Sequence, residues 1–364
     1  MFEKFGLRAS SVAALCVLAL SSTAASAQAP AQPSKDWGEL VKAAHKEGRV
    51  VFYAIDLPDR TEAMAAAFRA KFPSIQLVVQ RGNSAELNTR IAAEERANAA
   101  TADVFASVEP SVMARWSREG RIHRIESPNY LALKNSVFVK YPTLAPGNDR
   151  VVYSGLAYAI AWNTGRIKKP VTGYRDLVER TAEFGNGLIA APGWIGQAAG
   201  QFYAKIEEGT SGIDLTKNPE GGAWLKKFGA LKPKLYNSGS PIAQAVASGE
   251  VAGAVYAPVP SLLPLKAKGA PIDFVVDREV PTAVTFMLVS LKRGTNPNAG
   301  QLLIGFLLSE EGQAAAATGQ SLVVRDNVPG ASGGANLLSV PRAELDEPVF
   351  LDAYRKVWQK AMGQ

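Results

Sequence analysis

Three turns in this chain carry the same chemical signature, a small or amide residue leading into a helix: Asn83-Ser84, Gly196-Gln197 and Gly239-Ser240. A helix start presents unpaired backbone N–H groups and about half a positive charge, so two or three starts facing one another form a site for a carboxylate, phosphonate, phosphate or sulfonate. Gly82 and Ser238 belong to the same turns, and Arg81 beside Gly82 is the expected charged anchor, because guanidinium meets planar oxyanions with two prongs. Ser84 and Ser240 also read as caps of their own helices, worth about 1 kcal/mol each. Capping uses one donor and leaves others free. Asp56 and Glu109 either bind an ammonium, which makes the solute a zwitterion or a cationic amine, or serve as first-turn acids. Ser107 shares the loop of Glu109. Trp194 and Tyr256 offer flat faces that either stack on a ligand or pack internally, and Tyr158 looks toward the floor of the same site.

Catalytic chemistry is poorly provided for. Cys16 is the single cysteine and the histidines are His45 and His123. His45 sits mid-helix between Ala44 and Lys46, and His123 follows a helix that ends at Gly120; both read as surface residues. No nucleophile with an adjacent base and no metal cluster assembles from these positions, so no catalytic residue, metal site or cofactor is expected. Lysine or carboxylate chemistry stays open, which keeps an enzyme on the same architecture as the competing class. A sensor partner that signals through a receptor differs in partner, not in fold.

The elements that position these residues alternate strand and helix. Apolar runs at 49–54, 75–80 and 103–107 read as strands separated by amphipathic helices, with capping boxes at Asp36/Glu39 and Asp59/Glu62 and with Ser84 as a cap. The apolar stretch 155–163, Gly-Leu-Ala-Tyr-Ala-Ile-Ala-Trp-Asn, reads as one strand crossing between two α/β units. Beyond it, strands at 187–191, 251–256, 272–276 and 285–290 alternate with helices at 198–208, 222–231, 242–247, 298–308, 309–317 and 350–362. A second crossing is expected at 277–281 and a third link at 322–325. Short loops between alternating elements imply parallel pairing with right-handed crossovers. In such sheets ligands bind beyond the carboxyl ends of the strands, which selects these same loops. The expected fold is a two-lobed α/β clamshell.

The N-terminus has the form of an export signal: Lys4 and Arg8, an apolar run from Ala9 to Leu20, then Ala25-Ser26-Ala27 as cleavage site. Residues 1–27 are read as the signal and 28–35 as a mobile leader. Cleavage removes Cys16, and with it disulfides, thiol catalysis and thiolate metal sites. The run is too short to span a bilayer, and no other stretch has the length. The formal charge of +7 is scattered, with no basic run, which suits attraction of anions better than nucleic acid.

Six segments in order resemble one family: WGELVKAAHKEGRVVFY from Trp37, FRAKFP from Phe68, ADV from Ala102, GLAYAIAWNT from Gly155, SPIAQAVASGEV from Ser240 and NPNAGQLLIGFLLSEEGQ from Asn296. Together they resemble the type II periplasmic solute-binding proteins of ABC importers, in the group that includes the ferric-iron-binding proteins. The resemblance implies two lobes with mixed or parallel sheets flanked by helices and joined by hinge strands, residues 36–156 with 282–322 and 157–281 with 323–364. It implies a periplasmic monomer that closes on a small-molecule solute and docks on an ABC permease, without turnover. Ferric-binding members hold iron with paired tyrosines; the matching place here, Val255-Tyr256-Ala257-Pro258, has one tyrosine and no neighbour. A small organic anion or zwitterion is therefore the expected solute, with iron, polyamine or thiamine-like cations as alternatives.

Overall fold

The computed structural model describes residues 32–194, 197–319, 321–338 and 343–364. The first helix, α1 (Trp37–Glu47), shows why the chain turns where it does. The Asp36 side chain accepts from Glu39 N at 2.8 Å, Leu40 and Ala44 are buried, and Gly48 ends the helix at φ 64°. The order continues β1 (Arg49–Ala54), α2 (Pro58–Lys71), β2 (Gln76–Arg81), α3 (Ser84–Arg96), β3 (Val104–Ser107), α4 (Pro110–Arg118), α5 (Pro128–Lys134), α6 (Val137–Lys140) and β4 (Arg150–Asn163). After β4 come α7 (Tyr174–Glu179), α8 (Thr181–Phe184), β5 (Ile189–Pro192), α9 (Gln197–Ser211), α10 (Ala223–Ala230), β6 (Lys234–Tyr236), α11 (Gly239–Ala247), β7 (Gly253–Pro258), α12 (Val259–Ala267) and β8 (Ile272–Val275). The chain closes with β9 (Ala283–Ser290), α13 (Pro297–Leu307), α14 (Glu310–Ala316), β10 (Leu322–Val323) and α15 (Pro348–Met362). Among the described residues no helix is long and apolar enough to cross a membrane.

β4 is the spine. Its first part, from Arg150 to Ala157, pairs antiparallel with β9, and its last part, from Tyr158 to Asn163, pairs antiparallel with β7 and β8. The strand order is β2-β1-β3-β9-β4-β7-β5-β6, with β8 and β10 also on β4. Pairs β1–β2, β1–β3, β5–β6 and β5–β7 are parallel, whereas all pairs with β4 or β9 are antiparallel. One strand thus belongs to two sheets, and the segment between β8 and β9 crosses a second time. Gly155 marks the crowded point of β4: a Cβ there would lie 2.5 Å from Val284 O and 2.6 Å from Leu338 Cδ2.

Several local expectations change. α2 starts at Pro58 after Leu57, with no side-chain cap, instead of on an Asp59/Glu62 box; proline lacks the N–H a cap would satisfy. Asn83, not Ser84, caps α3, in a reciprocal box with Glu86. β6 is three residues long, and α12 carries Pro264 inside it, so neither has a clean periodic signal.

His123 is not a surface residue: it is 2% exposed, its N donates to Ser290 O at 2.8 Å, and Nε2 has no partner among the described residues. Burial, with Lys292 second, lowers its pKa to about 4. The folded value lies below that of the unfolded chain, so this contribution is complete above about pH 6.5 and is lost as pH falls toward 4. Thermal denaturation from pH 7 to pH 4 should show roughly 3 kcal/mol of pH dependence that His123→Gln removes. An unchanged pH profile in the variant would refute the assignment. His45 is exposed and shares a hydrogen bond with Ser74 Oγ at 2.6 Å.

Candidate functional site

The loop after β1 carries Asp56, which is fully buried. Its Oδ1 lies 3.0 Å from Arg60 Nη2, and its Oδ2 accepts a short bond from the Tyr153 hydroxyl. Arg60, 2% exposed in the first turn of α2, donates from Nη1 to Ser321 Oγ (3.2 Å) and from Nη2 to Ser154 Oγ, and lies 5.0 Å from the Phe286 ring centroid. Burial and the neighbouring carboxylate hold the Tyr153 phenol well above its usual range. Asp56 is therefore occupied internally. Arg81 donates from Nε to the Asp56 carbonyl at 2.9 Å, and its exposed end joins Asp59, Glu62 and Arg69 around a hollow between α2 and β2.

The loops after β2 and β3 meet. Ser84 Oγ accepts from Val108 N at 3.2 Å and from Ser107 Oγ at 3.3 Å, and Ser107 Oγ accepts from Glu109 N at 3.1 Å. The Asn83 side chain is spent on Glu86 N, and a Cβ on Gly82 would sit 3.1 Å from Leu87 Cγ. Asn88 Nδ2 donates to Glu109 Oε2 at 2.5 Å. Ser84, Ser107 and Glu109 thus form one lip, with Val108 at its edge.

On the opposite side Trp194 packs against Tyr354 and Trp358, with centroids 6.3 and 5.6 Å away, turned into the α15 side of the fold. Gly196 lies outside the described residues; Gln197 opens α9, and its side chain also lies outside them. Ser238 makes no side-chain cap bond, Ser240 is exposed with Oγ 3.3 Å from Ser261 Oγ, and a Cβ on Gly239 would sit 2.5 Å from Pro258 Cγ. That turn packs against the end of β7.

Tyr256, by contrast, does have a tyrosine neighbour, from a different strand. Its ring stacks on Tyr158 at 3.8 Å and 15°, with Phe202 edge-on to Tyr256 at 4.7 Å. The register of β4 against β7 shifts between Ala159 and Ala161, and Tyr256 takes φ 63°, an uncommon backbone for a bulky residue. Such outliers collect where surrounding structure enforces them for use. Burial raises both phenols.

Between the Val108 lip and α9 runs a gap lined by Gln201, Phe202, Lys205 and residues 282–285. It has room for about 20 Å³, enough for about one water. Sites for organic ligands are typically about 300 Å³ or more, so the walls must part to admit one. Lys205 donates from Nζ to Ala283 O at 3.4 Å, and burial brings its pKa down to about 8. Thr282 Oγ1 contacts the Tyr174 hydroxyl at 2.7 Å and donates to Tyr158 O at 3.2 Å. Gln201 and Thr285 are both buried. An ammonium, a carboxamide and hydroxyls facing a seam between two sheets can bind and orient an oxyanion. Neither Lys205 nor Gln201 stood out in the sequence, although they are four apart on a predicted helix and so share a face.

Two α/β units spanned by one strand, with a polar seam between them, define a clamshell binding protein. Residues 50–318 match the family described as bacterial extracellular solute-binding protein, and the chain belongs to that family. No curated protein matches it in sequence. Iron-bound HitA from Pseudomonas aeruginosa is similar at 22% identity and TM-score 0.63, over 86% of this chain and 99% of that one. AfuA from Actinobacillus pleuropneumoniae, with fructose-6-phosphate bound, is similar at 20% identity and TM-score 0.62, over 87% and 99%. The substrate binding protein of an ABC transporter from Agrobacterium tumefaciens gives 18% identity and TM-score 0.67, over 86% and 94%. At these identities the likeness carries the fold, the two-lobed type II periplasmic-binding architecture.

Proposed function

We propose that this protein captures a small organic anion or zwitterion in the seam beside Lys205, closes on it, and delivers it unaltered to an ABC permease. The observation that carries this reading is the half-buried Lys205 ammonium, which lines one gap with Gln201, Thr285 and Val108. The lobes are taken as 36–156 with 282–322 and 157–281 with 323–364, with Tyr158 and Tyr256 as the aromatic floor. A ligand that touches both lobes favours the closed form; moving the balance from 1:99 to 99:1 needs about 5.5 kcal/mol of preference. One charge-assisted pair and several hydrogen bonds supply energy of that order. AfuA with a sugar phosphate bound supports an anionic solute on this architecture.

A second reading rests on the Tyr158–Tyr256 stack, since HitA is an iron-bound relative and phenolates suit Fe(III). Phenol pKa values raised by burial oppose it, because Fe(III) takes the phenolate. A thermal-shift screen over carboxylates, phosphonates, sugar phosphates, polyamines and Fe(III) separates the two readings. The expected result is a rise in melting temperature with an anion or zwitterion and no consumption of it. Tyr256→Phe should change that affinity by no more than about threefold, the scale of one modest hydrogen bond. A response to Fe(III) alone, with coloured protein that Tyr256→Phe bleaches, would replace the anion by iron; turnover of the hit would make the protein an enzyme.

A further inference from the structure

Behind α9, on the side away from the seam, α10 and α15 enclose a groove of about 640 Å³. Its floor is apolar, with Leu225 buried and Val357 partly buried, and its rim carries Lys226, Lys356 and Lys360 against one carboxylate, Glu220. The groove is preformed. Glu207 of α9 accepts from Trp224 N (3.3 Å) and Leu225 N (2.6 Å), which fixes the start of α10. Buried Leu351, Tyr354 and Trp358 anchor α15.

Lys356 and Lys360 stand four apart on one helix face, an arrangement of like charges that costs a helix stability. Lys226 adds a third ammonium from the facing helix. None of the three forms an ion pair among the described residues. An apolar trough of ligand size with a few charges of one sign at its edge complements a molecule with an apolar body and an anionic end. We propose that this groove is a second binding site, separate from the seam, for an amphipathic organic anion such as a medium-chain carboxylate or sulfonate.

The test uses octanoate as probe, with octylamine and octanol as charge controls, in calorimetric titrations of the full-length protein. Octanoate is expected to bind with one-to-one stoichiometry and octylamine at least tenfold more weakly. The charge reversal Lys356→Glu/Lys360→Glu should lower octanoate affinity at least tenfold, and Val357→Trp should fill the trough and abolish binding. Lys205→Met should leave octanoate binding intact, so failure here and failure of the seam reading are told apart. Absence of octanoate binding overturns the proposal, as does equal binding of octylamine. Binding that Lys205→Met abolishes and the groove variants leave unchanged puts the probe in the seam and also overturns it. So does a dimer, seen by sedimentation, that the charge reversal disperses while octanoate has no effect, because the groove would then be covered by a second copy.

Discussion

Lys205→Met should weaken binding of the best anionic hit from the solute screen about 100-fold, roughly 3 kcal/mol, the scale of losing one partner of a desolvated charge pair. Methionine keeps the length and apolar stem of lysine, so packing beside Phe202 survives while the ammonium is lost. Isothermal titration at pH 7 measures the effect, and affinity within threefold of wild type would sink the proposed seam. The pH dependence is a second check with a defined sign. The ammonium is charged below about pH 8 in the unliganded protein, so anion affinity should fall as pH rises above 8. Stability should move the other way. The unfolded chain holds the proton up to the ordinary lysine range, so between about pH 8 and 10.5 it binds more protons than the folded form, and the folded form gains. Affinity and melting temperature moving in opposite directions with alkali is a signature that a merely structural lysine would not give.

Arg60→Met should destabilise the fold by about 3–5 kcal/mol, more than Lys205→Met or His123→Gln, because it leaves the Asp56 carboxylate buried without its cation. In a chain this long that corresponds to a fall in melting temperature on the order of 5–10 °C. Adding Asp56→Asn to Arg60→Met should recover a large part of the loss, since the orphan charge goes with it. No recovery in the double variant would mean that packing against Phe286, not charge, carries the effect. The reach of this residue is wide. Arg60 holds Ser154 on β4, Ser321 just before β10 and the ring of Phe286 on β9, so one guanidinium ties together three elements far apart in the chain.

The frame of the fold was readable because its signals are local. The apolar run at 155–163 lies within β4, which starts earlier at Arg150, and the Asp36 cap and Gly48 stop hold as expected. Residues read as ligand contacts were less legible, because their partners are remote in sequence. Asp56 is answered by Arg60 four residues on, a pairing the sequence reading did not draw, and by Tyr153, which is remote in sequence. Trp194 turned to packing because α15, from the far end of the chain, lies against it. Tyr256 looked solitary because its partner sits on β4, and His123 looked exposed because β9, whose Ser290 it meets, is supplied late.

That lateness has a consequence for how the molecule comes into being. β3 and the leading part of β4 are both hydrogen-bonded to β9, so the middle place of the first sheet stays vacant until residues 283–290 exist. A chain emerging from its N-terminus cannot finish even its first lobe early, and pairing over such separations is slow. For an extracellular protein this delay is useful: the nascent thread stays unlocked for passage. It also leaves two raw strand borders open to wrong partners, so truncation before β9 should yield aggregates instead of a free-standing first lobe.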